Sequence, residues 1–349
     1  MSPPRRESET EEPDRIAGYA HPRATYNLIG QDAALTRAAR AIRAGRPPQA
    51  WLITGPPGIG KATLAYRIAR YVLRYGATDK GPSDLAVPPT DPVSRQIEAQ
   101  SHPGLLVLRR QENDRGKLKT VLDVDEVRRL GSFFGMTAEA GGWRVAIVDS
   151  ADEMNDNAAN ALLKILEEPP PRGLLMLISH APGRLLPTIR SRSQRLDLKP
   201  LDEPSLNDAL THFLPDIDGD DRTALLQLSE GSLGLALRLS GGEGLKFARD
   251  AENLLAARGA PDSSGVLALA ERVGRGADGL RHFGEFLAQA ISRRIRLRAQ
   301  EGRSDERAVE LWEQVNALFD RATGLHLEPR QTILASARDI ARAKQHGAL

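Results

Sequence analysis

The sequence predicts an α/β domain built on a parallel sheet, followed by an all-helical half. Three observations carry this expectation. Short apolar runs alternate with helical stretches over roughly the first 200 residues, the pattern of a parallel sheet covered on both faces. A glycine loop, TGPPGIGK (Thr54–Lys61), stands between one apolar run and one helical stretch. From about Asp202 no strand-like run appears, and every long segment carries helical periodicity.

The elements follow in order. The polar, mixed-charge start MSPPRRESETEEPDR lacks the apolar core of a signal peptide, so residues 1–24 are expected to form a disordered tail and the protein to be cytoplasmic. QDAALTRAARAIRAG (Gln31–Gly45) has helical spacing and ends on glycine. QAWLIT is a short buried strand, and KATLAYRIARYVLRYG is the helix after the glycine loop. ATDKGPSDLAVPPTDPVS, rich in Pro and Ser, reads as a surface loop. GLLVLRR is a strand, and DVDEVRRLGSFFG opens a helix with acids in its first turn. WRVAIVDSADEM is a buried strand ending in acids, and NDNAANALLKILEEPP is a capped helix stopped by prolines. GLLMLISH is a further apolar strand. The helical half has an expected break near Gly241–Gly242.

Composition excludes several chemistries. No cysteine is present, which removes disulfides, thiol nucleophiles and thiolate metal sites, zinc modules included. The seven histidines are scattered and never fall at a metal-ligand spacing. A net charge of +2 gives too weak a field to argue nucleic-acid binding by itself. No apolar run approaches the ~18–20 residues needed to cross a bilayer.

Three motifs carry chemistry. The first is the glycine loop, which fits G-x-x-x-x-G-K-[ST] at Gly55, Gly60 and Lys61. Its candidate nucleotide-binding residues are Gly55, Pro56, Pro57, Gly58, Ile59, Gly60, Lys61, Ala62 and Thr63. Backbone N–H groups at such a loop and helix start favour an anion, and the lysine reaches the outer phosphates. Position 62 breaks the pattern: the hydroxyl that would hold magnesium is replaced by Ala62, and Thr63 lies about 100° further around the helix. The plainer alternative is a Gly/Pro turn between strand and helix. The second motif, VAIVDSADEM, places Asp149 at a strand end, where P-loop NTPases hold their metal; capping the next helix is its plainer role. Asp152 and Glu153 lie beyond that strand end. The third, LLPTIRSRSQR, gathers Arg190, Arg192 and Arg195 on a short segment beside a strand, as a solvated face or as a finger presented to a neighbour.

The stretches LIGQDAALTRAARAIRAGRPPQAWLITGPPGIGK, GGWRVAIVDSADEMNDNAANALLKILEEPP and LLPTIRSRSQ resemble the clamp-loader branch of the AAA+ proteins, and within it the δ′ family of bacterial DNA polymerase III. AANALLKILEEPP and the Ser-Arg pair are the most specific parts, and LWEQVNALFDRATGLHLEPRQTIL resembles the family's collar region. The resemblance implies a RecA-like AAA+ P-loop domain over 25–200, a small helical lid over 201–242 and a helical collar for oligomerisation over 243–349. It implies a heteropentamer with γ/τ and δ subunits, a sliding β clamp and primer-template DNA as partners, and no membrane. It carries the arginine-finger role, acting in trans on a neighbour's ATP, onto Arg192 after Ser191, with Ser193 replacing the usual cysteine. The sensor-1 polar residue would be Ser179 or His180.

Three departures bear on catalysis. Ala62 removes a metal ligand, Ser150 stands where motors of this kind carry a catalytic glutamate, and Gly234 stands where their lid carries a sensor-2 arginine. Losing one preorganised charged group typically costs about 10²–10³ in rate. The expectation is a stator without ATPase of its own, within a polymerase holoenzyme. Its loop would serve as a packing element or as a weak, degenerate ATP or ADP site. The alternative reading is a self-sufficient AAA+ ATPase of the γ/τ or helicase-loader type. For DNA, the helix from Asp123 to Arg129 with Arg109 and Arg110 offers basic residues, though a solvated basic face is the plainer account.

Overall fold

A computed structural model describes residues 15–111, 119, 121–135, 142–257, 263–276, 278–303, 306–325 and 327–347. The chain divides into two compact units, residues 1–216 with 229–237, and residues 217–228 with 238–349.

The first unit is built on five parallel strands in the spatial order β2-β3-β4-β1-β5. These are β1 (Ala50–Thr54), β2 (Leu105–Leu108), β3 (Arg144–Asp149), β4 (Gly173–Ser179) and β5 (Gln194–Asp197). Side chains alternate between the faces of a strand, and the sheet separates two apolar cores accordingly. Trp51, Ile53, Val145 and Ile147 pack with α1 (Asp32–Arg43), α2 (Lys61–Tyr75) and α3 (Pro92–Glu98). Ala50, Leu52, Ala146 and Val148 pack on the other side with α4 (Val124–Gly135), α5 (Asp156–Glu167) and α6 (Pro187–Arg192). Asn155 caps α5 by accepting from the Ala158 N–H at 2.9 Å.

The structure adds to the sequence reading in two places here. LLPTIRSRSQR, read as a short segment beside a strand, forms α6 and runs directly into β5, an edge strand with one buried residue, Leu196. The Pro/Ser-rich stretch after α2 is irregular but anchored, because Leu85 and Val87 insert into the core beside Tyr71 and Ile97. Residues 1–14 of the expected tail lie outside the described residues. Residues 15–24 make defined contacts: Arg23 Nε donates to the Glu98 carbonyl at 3.1 Å, and Arg70 donates to the Arg23 carbonyl.

Described residues after β5 form helices α7 (Glu203–Phe213), α8 (Gly219–Leu228), α9 (Leu233–Ser240), α10 (Gly244–Ala256), α11 (Ser263–Gly274), α12 (Gly279–Gln300), α13 (Glu306–Gly324) and α14 (Pro329–Gln345). The second unit is held by a chain of rings. Phe247 of α10 meets Phe283 of α12 edge-on with centroids 6.2 Å apart, and Phe283 meets Phe319 of α13 at 6.0 Å. Glu252 ties α10 to α12 through Arg293 and Arg294. No described helix is long and apolar enough to cross a membrane.

Candidate functional site

The glycine loop joins the end of β1 to the start of α2. Gly58 and Gly60 lie at φ +76° and +98°, where a side chain would strain the backbone. Gly60 leads into α2, and Lys61 is its first residue.

Lys61 is only 3% exposed. Its ammonium donates to the Gly55 carbonyl at 2.7 Å and to the Pro56 carbonyl at 2.6 Å. Burial depresses its pKa to about 8, against the opposing pull of the Asp149 and Asp152 carboxylates. The carbonyls that follow are taken as well. Pro57 accepts from Ser232 Oγ at 2.8 Å, Gly58 from the Gly234 N–H at 2.9 Å, and Ile59 from Gln31 Nε2 at 3.3 Å. Gly60 accepts from the Leu64 N–H at 3.0 Å, the ordinary first bond of the helix. Six consecutive carbonyls therefore have partners within the chain.

The sheet brings the other expected residues to this end. Ser179 closes β4 in register with Thr54 of β1, and Asp149 closes β3 in register with Ile178. Ser179 is fully buried, and its Oγ has no hydrogen-bond partner. Ser150 Oγ donates to Asp149 Oδ1 at 3.3 Å and lies 3.0 Å from His180 Nε2, while the His180 N–H donates to Asp152 Oδ1 at 3.0 Å. Thr54 Oγ1 donates to Asp197, which also accepts from Arg195 at 2.7 Å. Sequence reasoning missed Gln31, Ser232 and Asp197 as parts of this site.

A family of this kind implies a magnesium nucleotide, and the residues present do not fit one. Ala62 offers no metal ligand. The lysine that would meet the outer phosphates is buried on its own loop.

Arg192 stands elsewhere. It ends α6, and its side chain lines a small cavity with Gln49, Ala50, Phe134, Pro169, Pro170 and Gly173. Ala50 and Gly173 begin their strands, so Arg192 lies at the starting edge of the sheet and the glycine loop at the finishing edge. At about 3.3 Å per residue, the length of β1 separates the two by about 16 Å. Arg192 Nη2 pairs with Glu167 Oε1 at 3.0 Å. Arg195 is engaged with Asp197, and Arg190 is exposed. Of the basic residues considered for DNA, Arg110, Arg128 and Arg129 each carry an acidic partner, namely Glu153, Asp125 and Glu126.

Residues 30–202 match the family described as DNA polymerase III, delta subunit. The DNA polymerase III subunit delta' of Pseudomonas aeruginosa is 40% identical over 193 residues, 55% of this chain and 56% of that one. The delta' subunit of Escherichia coli is 34% identical over 208 residues, 58% of each. Residues 30–202, 173 of the 349, thus carry a likeness to the DNA polymerase III delta' subunits. The chain spans about half the length of the curated δ′ relatives it matches. The DNA polymerase III subunit tau of Escherichia coli is a more distant match, at 28% identity over 232 residues, 64% of this chain and 34% of that one. Within residues 30–202 fall the glycine loop, Asp149, Ser179 and Arg192; Ser232 and Gly234 fall outside them.

Proposed function

We propose that this chain is a δ′ subunit, a non-hydrolysing member, of a DNA polymerase III clamp loader. It would assemble in the cytoplasm with γ/τ and δ subunits and help load a sliding clamp on primed DNA. In this reading residues 25–200 are the P-loop domain, 201–242 the lid and 243–349 the collar. Arg192 serves as the finger for a neighbouring γ/τ ATP site. The observation that supports it most is the separation just described. Arg192 sits at the opposite sheet edge from the chain's own loop, partly exposed and held by Glu167, while Lys61 is sequestered. A planar, permanently charged guanidinium can bond two phosphate oxygens, which an ammonium cannot copy.

The test is reconstitution with γ/τ and δ, followed by ATPase and clamp-loading assays. The isolated chain is expected to hydrolyse ATP at background. Arg192→Ala should assemble normally, lower the DNA-stimulated ATPase in part, and lower loading further, because a finger contributes up to about 10³–10⁵ at its own site. Arg192→Lys should resemble Arg192→Ala, and Arg195→Ala should be milder. Wild-type loading by Arg192→Ala would overturn the finger assignment. Turnover by the isolated chain that Lys61→Ala abolishes would instead favour a self-sufficient ATPase.

A further inference from the structure

We infer that the glycine loop is a socket for the chain's own Ser232–Leu235 turn, with Lys61 as an internal strut in place of a phosphate contact. This goes beyond the absence of catalytic groups, because it says what the loop binds instead. Four observations converge. Ser232 Oγ and the Gly234 N–H donate to the adjacent carbonyls of Pro57 and Gly58. The same Ser232 Oγ accepts from the Leu235 N–H at 3.2 Å, so one hydroxyl caps the turn and docks it. The two backbones touch: a Cβ on Gly234 would lie 2.7 Å from Gly58 Cα, and one on Gly58 would lie 2.6 Å from Ser232 Oγ. The Gly231 carbonyl accepts from the Leu201 N–H at 2.9 Å, which fixes the entry to the turn.

The pairing explains both glycines. Gly58 needs its left-handed backbone, but Gly234 has no such need. Gly234 is glycine because a side chain of any length has no room against Gly58. An arginine at 234 and this docked turn are mutually exclusive. Direct peptide-to-peptide contact takes the place where the family resemblance puts a charged side chain aimed at a ligand. Lys61 completes the arrangement, since its ammonium satisfies the Gly55 and Pro56 carbonyls, which precede the pair that the turn occupies.

Hydrogen exchange on the intact chain, read by mass spectrometry over residues 229–237 with and without millimolar magnesium ADP or ATP, tests this. In the wild type these amides should be protected without nucleotide, and nucleotide should change nothing. Gly234→Ala places a methyl against fixed backbone. Overpacking of this kind should speed exchange there by about 10- to 100-fold, despite the better helix propensity of Ala. Ser232→Ala is the milder companion for use should Gly234→Ala fail to fold. It loses one hydrogen bond and the cap, and should speed exchange by about 5- to 20-fold. Wild-type exchange rates in Ser232→Ala would overturn the inference. So would faster exchange of residues 229–237 when nucleotide is added to the wild type, because a ligand would then be displacing the turn.

Discussion

Replacing Lys61 by Met should change how stability depends on pH, in a direction set by burial. The ammonium is 3% exposed, and its pKa falls from 10.5 to about 8. At 1.36 kcal/mol per pKa unit, the charged form carries a penalty of about 3 kcal/mol in the folded chain, with no discount for solvent at this depth. The sign follows from proton counts. In the unfolded chain the amine holds its proton up to about pH 10.5, whereas in the folded chain it releases it from about pH 8. Between those values the unfolded state binds more protons, so this group's contribution to stability rises with pH. Below about pH 8 the penalty is present in full. Urea unfolding of wild type and Lys61→Met should be compared at several pH values between about 7 and 10. The stability of the wild type relative to the variant should increase by about 2–3 kcal/mol across that range. Met cannot donate to Gly55 and Pro56, which sets the offset between the curves but not their divergence. Parallel curves would refute the reasoning, because they would mean that Lys61 is solvated and its loop open.

Two further outcomes follow from other parts of the molecule. Glu167→Gln removes the charge that holds Arg192; as an exposed pair it should alter folding stability by at most about 1 kcal/mol. In the reconstituted complex it should slow ATP turnover a few-fold without changing KM for ATP, and have no effect added to Arg192→Ala. Slowing of equal size on the Arg192→Ala background would show that Glu167 acts on something else. Phe319→Ala breaks the ring chain of the second unit and should destabilise it by about 3–5 kcal/mol, read as a lowered unfolding midpoint. A shift below about 1 kcal/mol would mean that α12 and α13 are held by other contacts.

Periodicity and punctuation made most of the sheet legible. β1, β3 and β4 are almost wholly buried, so their apolar runs stand out in the sequence, and the prolines at 169 and 170 mark the end of α5. β5 escaped because it is short and sits at the sheet edge: QRLD buries one side chain in four and has no alternation to detect. Leu85 and Val87 escaped because a Pro-rich composition signals irregular backbone, not exposure. For the site, the positions of Lys61, Asp149 and Ser179 were legible because strand order brings them to one sheet end. Their partners were not. The Ser232–Pro57 bond spans 175 residues, and the contact between Gly234 and Gly58 is backbone on backbone, which leaves no side-chain pattern. Gly234 was noticed as a missing arginine, but the reason for a glycine there is visible only in three dimensions.

The first unit is discontinuous in sequence, and this limits how the protein can be cut. Residues 217–228 belong to the second unit, and the chain then returns for nine residues, 229–237, before leaving again. A fragment ending at Asp216 would keep all five strands, both apolar cores and Arg192. It would lose Ser232 and Gly234 together, and the carbonyls of Pro57 and Gly58 would be left to water. Such a truncated domain would resemble an open P-loop more closely than the whole chain does. Its loop would differ from that of the whole chain at two of six carbonyls, so questions of ligand binding have to be put to the uncut polypeptide.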